Sequence, residues 1–387
     1  MDIIFEIATT MLGQLQKPTL AFLIGGMLLA ALGSKFEVPE PVYKFIVIVL
    51  LLKVGLGAGI SVRNADLMAL LVPALGAAVV GVVIVFLGSK SIARWRGVSH
   101  VDGLATAGLF GAVSASTLAA GMAILDDEGI FYEGFIGALY PFMDIAALVT
   151  AIVLAKLSVA RQASVAHAHQ AESNIHADGS AALTMTPSGM GPSNMDSSSM
   201  APGPKTSRSS LKAQVQVSGV DGDLVRGILV DTFRSPAISA LLLGLAIGIL
   251  GQPDSVYKSF YEPLFRGLLS ILMLIMGMEA WARLSELRKV AHAYILYGLA
   301  APFVHGLLGF GAGMIAHELT GFSAGGVVLL AVMASSSSDI SGPPTMRGAV
   351  PEANPSAYVG TSTGLGTPVA ILSIPLYVAL AQALIGG

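Results

Sequence analysis

The sequence predicts an all-α integral membrane protein of ten transmembrane helices in two inverted five-helix repeats. Three observations predict it: a composition poor in charge, ten apolar runs of membrane length, and matched Gly, Pro and Ser positions in the two halves. Of 387 residues, 54% are hydrophobic and 12% charged, with a mean hydropathy of +0.76. A soluble globular chain carries about 25% charged residues. Here the charges cluster between apolar runs, as they must where charge in hydrocarbon is costly. A net charge of −3 and the lack of a basic, aromatic-rich run speak against a nucleic-acid partner. The absence of cysteine excludes disulfides and thiolate metal sites. Asp2 and Glu6 stand where a signal peptide would be positive, so the first apolar run is expected to be a retained helix.

A spanning helix needs roughly 20 mainly apolar residues. The runs at about 18–34, 41–62, 67–89, 103–125, 131–157, 236–251, 261–284, 291–317, 324–349 and 355–386 are the ten candidates. The first and sixth are short and call for a locally thin bilayer or polar anchors. Lys and Arg mark cytoplasmic loops. One set of loops holds Lys35, Lys90, Arg94, Arg96, Arg283, Arg288, Lys289 and Arg347. The alternate set holds Arg63 and Lys258 with the acidic Asp126, Asp127 and Glu128. The basic set is expected inside, with both termini outside.

Residues 1–157 form the first expected repeat, 158–222 a cytoplasmic linker and 223–387 the second repeat. The linker is rich in Ser, Ala, His and Met, with Pro and Gly scattered through it, and has no hydrophobic period. Such a segment is expected to be disordered. No second cluster supports a metal at His167, His169 and His176, so they read as part of a solvated tether; a short amphipathic helix is expected near 215–230. Across the linker, Pro18, Gly26 and Gly33 match Pro236, Gly244 and Gly251 at one constant offset, and Gly57, Arg63 and Leu67 match Gly277, Arg283 and Leu287 at nearly that offset. A polar break recurs in the fourth and ninth runs, and Pro141 and Pro368 lie inside the fifth and tenth. Five is odd, so the halves must sit in opposite orientations, the pattern of secondary transporters.

The two polar breaks carry the expected chemistry. The fourth run reads Gly108-Leu109-Phe110-Gly111-Ala112-Val113-Ser114-Ala115-Ser116-Thr117, and the ninth reads Ala334-Ser335-Ser336-Ser337-Ser338-Asp339-Ile340-Ser341-Gly342-Pro343-Pro344. Ser and Asp compete with the helix for backbone groups, and Pro fits a first turn. Both helices are therefore expected to unwind and restart at membrane depth, which requires the freed backbone to line a protein-buried cavity. A restarted half-helix presents N–H groups and the positive end of its dipole, which suits an anion. The candidate anion ligands are Gly111, Ser114, Ser116, Thr117, Ser336, Ser337 and Ser338. Close helix packing is the plainer use of such small residues.

Asp144 and Asp339 are acids at membrane depth, which are functional candidates by default. A carboxylate beside freed carbonyls suits Na+, or H+ if burial raises its pKa. Thr363 and Thr367, with Thr361 and Ser362 nearby, are candidate neutral oxygen partners. Two plainer roles stand beside these: a helix N-cap for Asp339, and a satisfied structural acid for Asp144. Lys53 and Glu279 are expected to pair with each other, while His305 and His317 read as packing residues. No nucleotide-binding, zinc-protease or serine-hydrolase signature is present, so ATP-driven transport and enzymatic activity are not expected, and neither is a cofactor other than a coupling ion.

Three stretches resemble the cyanobacterial sodium-dependent bicarbonate transporters: Gly267 to Trp281, Ala138 to Asp144, and Ser336 to Pro344. The resemblance extends over all ten runs and fails in the linker. It implies an architecture like that of bile-acid symporters and sodium/proton antiporters, with broken helices 4 and 9 crossing. It implies a core domain (helices 3–5 and 8–10) moving against a gate domain (helices 1, 2, 6 and 7), and a homotrimer assembled through the gate. It implies Na+-driven import of bicarbonate across the bacterial plasma membrane by an elevator-like movement, as part of inorganic carbon concentration. A PII-like regulatory protein is implied at the cytoplasmic face. The anion would sit where the breaks cross, at Ser114, Ser116, Thr117, Ser336, Ser337 and Ser338, with Na+ at Asp144 and Asp339. The rival of the same architecture is a cation/proton antiporter using Asp144 as proton carrier; a channel is a further alternative.

Overall fold

A computed structural model describes residues 18–63, 67–181, 226–227, 230, 233–287 and 292–386. Two units are distinguished by internal contacts, Met1–Lys156 with Gly222–Gly387, and Leu157–Asp221. The secondary structure of the described residues is helical throughout. Seven helical spans are long and apolar enough to cross a membrane, the two segments within His100–Glu128 counting as one, and three shorter apolar helices accompany them at Pro18–Ala31, Pro236–Leu250 and Ala324–Ser335.

In chain order the helices are α1 (Pro18–Ala31), α2 (Glu40–Val62), α3 (Leu67–Lys90), α4 (His100–Gly111), α5 (Ala115–Glu128), α6 (Tyr140–Ala181), α7 (Pro236–Leu250), α8 (Glu262–Leu287), α9 (His292–Thr320), α10 (Ala324–Ser335), α11 (Gly342–Ala349) and α12 (Thr367–Leu384). Each expected run is therefore helical, and the fourth and ninth are each split in two. The apolar faces of α1, α3, α7 and α9 remain exposed (Leu28, Leu75, Leu243 and Leu307 among them), as a lipid-facing surface requires.

Close approach sets two of the helix pairs. Gly26 of α1 lies against the Leu274 carbonyl of α8, and Gly277 of α8 against the Leu23 carbonyl of α1. Gly55 and Gly59 of α2 lie against the Leu241 and Leu245 carbonyls of α7, while Gly244 and Gly248 of α7 face Leu52 and Leu56 of α2. Small residues let backbones touch where lipid supplies no hydrophobic drive to associate.

Pro141 and Pro368 lie inside the fifth and tenth helical spans, as expected. Each is the second residue of an α-helix, α6 after a 3-10 turn (Gly134–Leu139) and α12 after a π-helical stretch (Gly360–Gly366). A first turn has no use for the missing N–H. The helical runs depart from expectation in three places. The fourth-run break falls at Ala112–Ser114, slightly ahead of the expected Ser114–Thr117, because Ser114 caps the new helix and Ser116 and Thr117 lie in its first turn. Helix α6 runs on to Ala181, well past the boundary expected at 157. Ala recurs every few residues after Leu157, and a helix already nucleated upstream propagates through such residues. The rest of the linker, and most of the short helix expected near 215–230, lie outside the described residues.

The third departure concerns Lys53. Its ammonium stands 4.0 Å from the Phe265 ring centroid at the start of α8. Glu279 lies four helical turns further along that helix, about 21 Å at 1.5 Å per residue, so the expected Lys53–Glu279 pair does not form.

Candidate functional site

The first break is built by Ser114, the N-cap of α5 in extended conformation (φ −91°, ψ 124°). Its Oγ accepts from the Thr117 N–H at 3.1 Å and from Thr117 Oγ1 at 3.0 Å. A lost Ser cap costs about 1 kcal/mol, so Ser114→Ala is expected to lower the detergent-solubilised melting temperature by a few degrees. A thermal-shift comparison with wild type measures it.

The second break runs from the end of α10 at Ser335 to the start of α11 at Gly342, with Ser336 extended (φ −72°, ψ 170°). The two unwound segments touch. The Ser338 N–H donates to the Leu109 carbonyl at 2.8 Å, and the Ser114 N–H donates to Ser336 Oγ at 2.9 Å. Backbone groups freed by each break are thus satisfied by the other.

Asp144, fully buried on α6, ties both segments together. One carboxylate oxygen accepts from the Val113 N–H at 3.1 Å and the other from Ser341 Oγ at 3.2 Å. Asp339 accepts through one oxygen from Ser116 Oγ, which also shares a hydrogen bond with Ser114 Oγ at 2.8 Å. Its other oxygen, Oδ1, is buried without a partner among the described residues, as is Thr363 Oγ1.

Ser337 and Ser338 face the π-helical stretch. Ser337 Oγ donates to the Ser362 carbonyl at 3.1 Å and lies 3.3 Å from Thr367 Oγ1, while Ser362 Oγ donates to the Ser338 carbonyl at 3.0 Å. Residues expected in an anion set and residues expected in a cation set therefore share one network. Gly111 packs elsewhere: a Cβ there would stand 2.9 Å from the Gly81 carbonyl and from Ala147 Cβ, between α3 and α6.

Free N–H groups were expected at both restarted helices, and only α5 offers them. Ala115 and Ser116 are first-turn donors with no intrahelical acceptor. In α11 the Gly342 N–H goes to Ser338 Oγ at 2.8 Å, Pro343 and Pro344 have none, and the Thr345 N–H reaches the Ser341 carbonyl at 3.4 Å. Nor is Asp339 the N-cap of α11. Ser341 holds that position, and Ser338 supplies the accepting oxygen.

Sequence reasoning missed Ser341, the Val113 N–H and the Leu109 carbonyl as members of the network. Ser341 carried a signal, three residues after Ser338 and immediately before Gly-Pro-Pro. The backbone groups carried none. Beside Ser116, a crevice lined by Val47, Leu50, Leu51, Val54, Ala119 and Leu272 leaves no room for a water molecule.

The crossing is lined by hydroxyls, carbonyls and two carboxylates, a donor set that suits a hard cation, with helix α5 aiming its N-terminus at the same place. Comparison with curated proteins found no match. Comparison with protein families matched residues 18–382, nearly the whole chain, to the Na+-dependent bicarbonate transporter superfamily. The chain is a multi-pass membrane protein and belongs to that superfamily.

Proposed function

We propose that the protein is a Na+-coupled bicarbonate symporter that imports inorganic carbon by elevator-like alternating access. The observation that carries this reading is the pair of carboxylates at the crossing, with Asp339 Oδ1 and Thr363 Oγ1 buried and without a partner among the described residues. Bicarbonate alone would meet two negative charges there. A cation bound first offsets them, and the anion then sees the α5 N-terminus and its hydroxyls. In this reading Na+ is held by Asp339 and Thr363, with Asp144 and Thr367 nearby. The anion is held by Ser114, Ser116 and Thr117, with Ser336, Ser337 and Ser338 shaping the opposite wall and Gly111 packing behind them.

Ser116 links the two ligands. Its hydroxyl donates to Asp339. A cation drawing on that carboxylate releases the hydroxyl to donate to bicarbonate, so Na+ raises the anion's affinity and, by linkage, the anion raises that of Na+.

The packing of α1 on α8 and of α7 on α2 supports the two inverted five-helix repeats. Gly26 and Gly244, which match across the halves, each press on a carbonyl of the partner helix. Helices α1, α2, α7 and α8 then form the gate, and α3–α6 with α9–α12 the core; ten spans result if the three shorter apolar helices also cross. A homotrimer through the gate, a cytoplasmic linker with both termini outside, and a PII-like regulator at that cytoplasmic face complete the proposal.

Radiolabelled bicarbonate uptake into proteoliposomes, with and without an inward Na+ gradient, tests it. Na+-dependent uptake is expected, reduced about tenfold in Ser116→Ala by the loss of one hydrogen bond worth about 1.5 kcal/mol. Cation/proton antiport of the same architecture is the second reading, favoured by the full burial of Asp144. Na+-dependent proton movement that ignores bicarbonate would establish it instead.

A further inference from the structure

A cavity of about 200 Å³ lies away from the crossing, lined by Lys53, Val54, Gly57, Ile60 and Ser61 of α2, Met122 of α5, and Tyr132, Gly134, Asp254, Tyr257 and Lys258. It opens at the end of α2 that carries Arg63, the side expected outside. Lys53 is 6% exposed, and its ammonium rests on aromatic faces, 4.0 Å from the Phe265 centroid and 6.0 Å from that of Tyr257. Cation–π contact holds a buried ammonium without neutralising it. An ionisable side chain at this depth has a functional use by default.

Three acids around the cavity are engaged with other groups. Asp254 is 3.4 Å from Arg63, Asp127 is 2.9 Å from Arg266, and Asp126 accepts from the Tyr132 hydroxyl at 3.0 Å. Asp126 and Glu262 act on Lys53 from a distance, as does the like-charged Arg266. Among the side chains that line the cavity, Lys53 and Lys258 outnumber Asp254, whose own partner is a cation. Val54 lines this cavity and also the crevice that leads to Ala115 and Ser116. That crevice is closed to water, so α2, α5 and α8 must part before anything passes from the cavity to the first break.

We propose that this cavity is a vestibular binding site for a small monovalent oxyanion, with Lys53 as its charged ligand, occupied before the anion reaches the crossing. The inference deepens the symport reading and rests on it for the identity of the anion. Two carboxylates at the crossing repel an incoming anion, and a cation in the vestibule concentrates it against that repulsion. Fields of this kind raise local ion concentration by about 10-fold or more. Release onward is easy because the ammonium is held by rings, not fixed in a fork of hydrogen bonds.

The chain has no cysteine, so Ile60→Cys places a single thiol in the cavity. Its modification is followed in proteoliposomes with a sulfonate-bearing and a trimethylammonium-bearing methanethiosulfonate, each referred to its rate with a free thiol. The anionic reagent is expected to be favoured by about tenfold, sodium bicarbonate is expected to slow it, and Lys53→Met to erase the preference. Equal or faster reaction of the cationic reagent would overturn the proposal even if Lys53→Met fails to fold, as would a rate indifferent to bicarbonate. Labelling needs no turnover, so the two readings fail separately. Anion preference without Na+-dependent uptake sinks the symport reading alone; uptake without anion preference sinks the vestibule alone.

Discussion

Asp144→Asn is expected to reduce Na+-dependent bicarbonate uptake by about 100-fold while leaving a folded, monodisperse protein. The wild-type carboxylate accepts one hydrogen bond from each broken segment, from the Val113 N–H and from Ser341 Oγ. Asn keeps the shape. Its oxygen can still accept from Val113, and the Ser341 hydroxyl can turn to accept from its amide. What disappears is the charge. Hydrogen bonds to a charged group are worth about 1.5–3 kcal/mol, and about 2.7 kcal/mol corresponds to 100-fold. Asp144→Ala separates the structural from the ionic contribution. It leaves the Val113 N–H buried without an acceptor, at a cost of about 1–3 kcal/mol, and should lower thermal stability where Asn barely does. Asn-variant uptake within threefold of wild type would reduce Asp144 to a structural acid and leave the coupling to Asp339 alone.

The two broken helices were legible because their residues conflict with a continuous helix: a run of Ser with an Asp, followed by Gly-Pro-Pro, has no other economical use inside an apolar segment. Asp144 and Asp339 were legible for the same reason, since an acid in an apolar run stands out. The partners were harder. Asp144 is held by a backbone N–H and by a Ser distant in sequence, and no local pattern announces either. The donors at α11 were misjudged because Pro343 and Pro344 were read only as a helix start. They also remove the N–H groups that an anion would use. The sequence pairs Lys53 with Glu279 because both are ionisable residues on helices expected to pack. Depth along the helix, which decides whether two residues can meet, depends on helix register and is invisible in composition. Helix α6 overran its expected end because a polar, Ala-rich stretch was judged by its lack of hydrophobic period, whereas propensity and an upstream nucleus govern it.

Gly55→Leu is expected to prevent assembly of the α2–α7 pair and to remove most folded protein from detergent extracts. A Cβ at Gly55 collides with the Leu241 carbonyl, and one at Gly59 collides with the Leu245 carbonyl. These neighbours are backbone, so relief requires the helices to separate, not a side chain to rotate. Overpacking costs typically about 1–3 kcal/mol when side chains can adjust, and here they cannot, so about 3 kcal/mol is a lower expectation. Gly267 on α8 is the control. Nothing lies within 4 Å of its would-be Cβ, and Gly267→Ala should stabilise by up to about 1 kcal/mol through helix propensity. Fluorescence-detected gel filtration after graded heating reads both. The same assay bears on the repeat. Gly26 and Gly244 occupy matched positions and meet carbonyls of α8 and α2 respectively, so Gly26→Val and Gly244→Val should destabilise by comparable amounts. A large effect at one with none at the other would mean that the proposed gate is held by a single close-packed pair, and the matched glycines would then be coincidence instead of symmetry.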